Sequence, residues 1–188
     1  MSRNIHQDSM WCTPIWSLVI DDMNNDELAD YMLFEKTKLP SEVKSNRGGW
    51  QSKLQKPEGI YQRLVNEITS LTQNLPLNVK EVTIEQMWFN INQQNDYNLI
   101  HNHGGRYHLS GTYYVRVPEN SGRLVFRDPR PGQLLNNFMM ERFDGNEIYH
   151  KNIHEGLLMI WPSYVDHFVE PNQTNNERIS ISFDITAK

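Results

Sequence analysis

One cysteine, Cys12, is all the chain contains, which excludes an internal disulfide and any cysteine-built zinc cluster. A bound metal would have to be held by His, Asp or Glu. No apolar run approaches the about 18 residues a membrane-spanning helix needs, so a membrane is not expected as a partner. The opening MSRNIHQDSMW has no basic start followed by an apolar stretch, which argues against a secretion signal; a cytoplasmic location is expected. Positive charge is not in excess, since 18 Lys and Arg stand against 23 Asp and Glu. A duplex-binding surface normally carries a basic excess, so nucleic acid is not expected as the main partner. Internal repeats and low-complexity linkers are also missing. What is there, 188 residues of which 38% are hydrophobic and 22% charged, suits a single domain, 1–188, with one sizeable core.

The first part of the chain, 1–78, reads as a strand and helices. Thr13 to Asp21 (TPIWSLVID) is a short strand. Asn24 or Asn25 caps a helix over Asp26 to Lys38, with acidic residues in the first turn where the helix dipole favours them. Leu39-Pro40 ends it. Ser45 to Ser52 (SNRGGWQS) reads as irregular. Pro57 and Glu58 open a second helix, about Gly59 to Asn74, in which Ile60, Leu64, Ile68 and Leu71 keep helical spacing. From Val79 short β runs alternate with turn residues, and the core is expected over 79–188. Strands are predicted near 81–92, 98–102, 109–117, 122–127, 156–161, 166–170 and 177–186. This spacing predicts a mainly β fold with flanking α, a sandwich or barrel with the early helices packed on one sheet. Pro129 to Asn152 is long and mixed, a length that in compact domains often marks a functional lid.

The last strand is the clearest. Arg178, Ser180, Ser182 and Asp184 alternate with Ile179, Ile181, Phe183 and Ile185, so the two sets lie on opposite faces. The apolar face should meet the helices, and the polar face suits a barrel that encloses a polar ligand. His101 and His103, at i and i+2 on extended chain, point the same way and can share one metal ion; the bland alternative is two surface histidines beside Gly104-Gly105. His167 follows the apolar strand and turn of GLLMIWPSYVDHFVEP, where it can complete a facial site with open positions or simply occupy a hairpin turn. Eleven residues later comes Arg178. An Arg on a lumen face needs an anionic partner, and its planar fork suits a carboxylate, with Ser180 adding a hydroxyl. An internal salt bridge, with Asp184 for example, is the structural alternative.

In this order the pieces resemble the 2-oxoglutarate- and Fe(II)-dependent oxygenases, which fold as a double-stranded β-helix (a cupin-like jelly-roll). Their pattern is H-x-D/E, a distal His, and an Arg about ten residues later that binds the far carboxylate of 2-oxoglutarate. The closer resemblance is to an H-x-H branch of bacteria and phages. The matching motifs are His101-Asn102-His103, Ser110-Gly111-Thr112-Tyr113-Tyr114, Gly122 to Pro129 (GRLVFRDP), Gly156 to His167 and Arg178-Ile179-Ser180, covering about residues 83 to 186. SNRGGWQS is similar to the same group. The spacing also resembles prolyl hydroxylases, in which the second tyrosine of a YY pair bonds 2-oxoglutarate.

The resemblance implies a dioxygenase with His101, His103 and His167 on Fe(II), and with 2-oxoglutarate held by Arg178, Ser180 and Tyr114. Oxidative decarboxylation of 2-oxoglutarate would be coupled to hydroxylation of a substrate, a peptide or protein side chain by analogy with prolyl hydroxylases. Tyr113 faces the other way; Thr112 and Ser110 share Tyr114's face, as does His108, which is not expected to be a ligand. Asn90, Asn98 and Thr112 are expected to line the pocket, Trp161 and Trp88 either there or in the core, and Asn136 to Met140 to meet substrate. One departure stands out: the usual carboxylate ligand is replaced by His103, leaving the full dication charge uncancelled by the ligands. Asp96, Asp128 and Asp166 are fallback carboxylates. Two other readings remain, a three-histidine cupin-like dioxygenase without 2-oxoglutarate and a non-catalytic jelly-roll binding module.

Overall fold

The computed structural model describes residues 12–129, 147–149 and 153–188, the second of these as backbone only. Eleven strands and two helices follow one another in the order β1 (Trp16–Val19), α1 (Asn25–Lys38), β2 (Asn46–Arg47), β3 (Trp50–Gln51), α2 (Gln62–Gln73), β4 (Val82–Asn92), β5 (Tyr97–His101), β6 (Leu109–Arg116), β7 (Leu124–Arg127), β8 (Glu147–Tyr149), β9 (Leu157–Pro162), β10 (His167–Val169) and β11 (Arg178–Ala187). A 3₁₀ turn, Gly59–Tyr61, leads into α2. All strand pairings are antiparallel. They form a six-stranded sheet, β1-β9-β6-β11-β4-β3, and a five-stranded sheet, β2-β5-β10-β7-β8. None of the described helices is long and apolar enough to cross a membrane.

The larger sheet has helices on one face and the smaller sheet on the other. Its apolar periodicity explains both layers. Ile179, Ile181, Phe183 and Ile185 of β11 join Leu28 and Met32 of α1 and Leu64 and Ile68 of α2 in one core. Each such fully buried side chain contributes about 1.5–3 kcal/mol. On β9, Leu158 and Ile160 face that core, while Leu157, Met159 and Trp161 face a second one with Tyr114, Leu124 and Phe126. Leu157–Pro162 is buried at every position, so the strand reads as a continuous apolar run without alternation.

Asn24 caps α1, its side chain accepting from the Glu27 N–H at 3.3 Å, and the predicted strands sit within about three residues of their expected ends. SNRGGWQS is not wholly irregular. It forms β2 and β3, each two residues long, which cross from the smaller sheet to the edge of the larger one. Two residues carry no period to read, and these strands exist because β5 and β4 offer them edges. Of Pro129 to Asn152, only Pro129 and β8 fall within the described residues; the expectation for Asn136 to Met140 lies outside them.

Gly111 sits opposite Phe183 on β11 and Ile160 on β9. A Cβ there would collide with the Phe183 ring and lie 2.5 Å from the Met159 carbonyl oxygen. Gly111→Ala is therefore expected to destabilise the fold by about 1–3 kcal/mol through overpacking. Denaturant unfolding measures this; an unchanged midpoint would contradict the packing described.

Candidate metal centre and its cavity

His101 ends β5 and His167 opens β10, and the antiparallel register sets the two directly opposite each other. His103 lies two residues past the strand end, fixed by its backbone N–H donating to the Ser163 carbonyl at 2.9 Å. The ring centroids are 4.4 Å apart for His101 and His167, and 5.2 Å from His103 to each of the others. One ligand atom from each lies within 4.8 Å of the other two, a spacing that small ring rotations bring to ligation distance.

Each ring is oriented through its Nδ1. His101 Nδ1 is 2.7 Å from the Leu99 carbonyl, His167 Nδ1 is 3.0 Å from the Val165 carbonyl, and His103 Nδ1 is 2.6 Å from Asp184 Oδ1. Carbonyls and carboxylates only accept, so in the neutral rings Nδ1 carries the proton and Nε2 keeps its lone pair. Burial, with the other two histidines adding repulsion, pushes His167 down to about 3, and burial lowers His101 as well. These two rings thus stay neutral at physiological pH, the form a metal requires. Ser45, from SNRGGWQS, places its hydroxyl 3.3 Å from His101 Nε2.

The three rings open into a cavity of about 720 Å³. Asn90, Asn98, Thr112 and Trp161 line it, as do Trp88, Tyr114, Arg178 and Ser180. Tyr113 points away, into the helix-side core, with its hydroxyl donating to Asn25. His108 is taken up elsewhere: its Nδ1 accepts from the Ala187 N–H. The fallback carboxylates do not join the histidines. Asp96 accepts from the Gln93 N–H and Asp166 from Asn102, and Asp128 is not in the three-histidine cluster.

Arg178 is 3% exposed. Its guanidinium donates to the Asn92 side-chain oxygen at 2.9 Å and, at longer range, to the carbonyls of Ser121 and Gly122. Gly122 adopts φ +88°, and a Cβ there would strike the Glu170 carbonyl, so only glycine permits this turn beside the arginine. Among the described residues no carboxylate pairs with Arg178, and its Nε–H has no acceptor. The alternative of a salt bridge to Asp184 does not hold; Asp184 is engaged by His103, Ser110 and Gln86. The Trp161 indole N–H, edge-on to His167, also lacks an acceptor. Burial raises the Tyr114 phenol, against the pull of Arg178, so it remains an O–H donor. Three donors around one cavity, one of them a buried cation, fit an acceptor-rich dicarboxylate such as 2-oxoglutarate, and the three imidazoles fit Fe(II).

Sequence reasoning passed over Asp184 as a partner of His103. The available signal was its place on the same polar face of β11 as Arg178 and Ser180.

A two-sheet β fold thus brings three converging histidines and a buried arginine to one cavity. Residues 86–184 match the family model described as "Putative 2OG-Fe(II) oxygenase". The chain belongs to this family, whose metal is iron and whose cosubstrate is 2-oxoglutarate. No curated protein matches the chain by sequence. Solved structures with the same fold include a prolyl-4-hydroxylase from Pseudomonas putida, 16% identical over 94% of each chain with a TM-score of 0.66. The viral collagen prolyl hydroxylase vCPH from Paramecium Bursaria Chlorella virus-1, solved as a 2-oxoglutarate complex, is 13% identical; the match covers 91% of this chain and 94% of that one, with a TM-score of 0.63. HygX from Streptomyces hygroscopicus, with nickel and 2-oxoglutarate bound, is 11% identical over 93% of this chain and 83% of its own, with a TM-score of 0.63. At these identities the likeness establishes the fold.

Proposed function

We propose that His101, His103 and His167 hold Fe(II), that Arg178, Tyr114 and Ser180 receive the distal carboxylate of 2-oxoglutarate, and that a peptide or protein side chain is hydroxylated at the cavity mouth. The observation that carries the reading is a buried guanidinium, without an anionic partner among the described residues, in the cavity onto which the three imidazoles open. When bound, iron and 2-oxoglutarate together supply the oxidising chemistry, with succinate and carbon dioxide as the by-products. The protein's share is placement. The three imidazoles would hold the ion through their Nε2 atoms. Arg178 neutralises the distal carboxylate and orients the dianion, Tyr114 donates to it, and the apolar wall of Trp161, Leu124 and Val169 excludes water. Leu54, Leu99 and Ile100 line the cavity and are exposed, as a binding surface for a chain segment would be. The likeness to prolyl hydroxylases supports the same substrate class.

The test is stepwise. Protein with Fe(II) and 2-oxoglutarate, under argon, is expected to show a visible charge-transfer band. Admitting oxygen should then release succinate, faster when an accepted peptide is present. Iron uptake without a band would favour a three-histidine dioxygenase that needs no keto acid. No iron uptake, with a melting temperature unmoved by metal, would favour a binding module.

A further inference from the structure

Asp184 is fully buried, and its environment is built around its charge. One oxygen accepts from His103 Nδ1 and from Ser110 Oγ, each at 2.6 Å; the other accepts from Gln86 Nε2 at 2.5 Å. Ser110 spends its only proton on Asp184, so the 2.8 Å bond between Ser110 and Ser163 is donated by Ser163. Gln86 and Asp184 are register partners on β4 and β11, and Ser110 is Asp184's partner on β6. Strands on both sides of β11 thus supply donors to one carboxylate. Burying an unpaired carboxylate would cost several kcal/mol. Here three donors hold it, and the only one that leads to the cavity's metal cluster is His103.

We infer that Asp184 supplies, through His103, the negative charge that the ligand set lacks. The family resemblance places a carboxylate at position 103, and this chain has an imidazole there. The structure puts a carboxylate one hydrogen bond further out, against the same imidazole. A His–carboxylate pair raises the basicity of the ligating nitrogen and fixes its ring, so much of the missing charge reaches the ion by way of the ring. The arrangement also gives a purpose to two motif serines the proposed reaction does not use, Ser110 of S-G-T-Y-Y and Ser163 of P-S-Y-V-D-H. Ser110 holds the carboxylate and Ser163 holds Ser110. Asp184 acts through His103 and is a positioning residue.

This inference rests on His101, His103 and His167 being the iron ligands. The test measures Fe(II) dissociation constants under argon and Co(II) visible spectra for wild type, Asp184→Asn, His103→Asp and the double variant. Asp184→Asn keeps the shape and is expected to weaken Fe(II) binding about 10–100-fold and to shift the Co(II) bands, with metal-free melting little changed. His103→Asp alone sets two carboxylates against each other and should bind more weakly than wild type. In the Asp184→Asn background the same change should strengthen binding, because the charge now sits at the ion. Wild-type affinity in Asp184→Asn, or His103→Asp weakening binding equally in both backgrounds, overturns the role of Asp184 alone. A wild-type chain that takes up no iron overturns the ligand assignment as well. Should Asp184→Asn fail to fold, nitrogen-15 NMR of zinc-loaded wild type decides. The His103 ring should show a strongly downfield Nδ1–H, and an unprotonated Nδ1 overturns the proposal.

Discussion

The His167→Ala protein is expected to retain no stoichiometric Fe(II) and to lose succinate production by more than about 100-fold, beyond the about 10–100-fold that follows loss of an outer partner of a ligand. His167 is the most enclosed of the three rings, at 4% exposure. It packs against His101 on one side and Trp161 on another, and the Val165 carbonyl fixes its tautomer. Removing it leaves two imidazoles on one short segment to hold a dication. The fold should tolerate the change better than the site does. The deleted ring makes a single hydrogen bond, to a carbonyl at a turn, and β10 is only three residues long. Iron content after anaerobic loading and succinate release, read beside the melting temperature of the metal-free protein, separate the two effects. Wild-type succinate from a folded His167→Ala protein would remove the histidine cluster from the mechanism.

Arg178→Met is expected to leave iron uptake intact while raising the 2-oxoglutarate concentration needed for half-maximal succinate release by at least about thirtyfold. Losing one partner of a buried, hydrogen-bonded charge pair costs about 2–5 kcal/mol, and about 1.4 kcal/mol is tenfold. The charge-transfer band should fade at 2-oxoglutarate levels that saturate wild type. Stability should move the other way or hardly at all. Without 2-oxoglutarate the guanidinium is a buried cation served only by carbonyl and amide oxygens, and burial already pulls its pKa down. An apolar side chain of similar length avoids that desolvation cost. A variant weak in 2-oxoglutarate binding yet equal or higher in melting temperature is the signature of an arginine kept for its ligand. Unchanged 2-oxoglutarate dependence would mean that the dicarboxylate, if it binds, is anchored elsewhere.

Much of this was legible from residue order because the informative elements are local. The alternation of β11 could be read directly, since a strand buried on one face and lining a cavity on the other must repeat every second residue. The same period pointed to the pair His101 and His103, whose rings do lie together although His103 falls two residues past the end of β5, and the Asn24 cap needs only its own first turn. What could not be read depends on contacts distant in sequence. His103 and Asp184 are 81 positions apart, and nothing local says which of the 23 acidic residues meets that ring. Asp96, Asp128 and Asp166 were the fallback carboxylates, and of these Asp96 and Asp166 face other partners, the Gln93 N–H and the Asn102 side chain. β2 and β3 were hidden for a related reason: their conformation is imposed by the strands they join.

The centre draws on both layers of the sandwich. His101 and His167 belong to the smaller sheet, whereas the carboxylate gripping His103 belongs to the larger one. An ion seated there would work as a rivet between two plates that are otherwise joined by side-chain packing and by hydrogen bonds such as those from Arg178 to the Ser121 and Gly122 carbonyls.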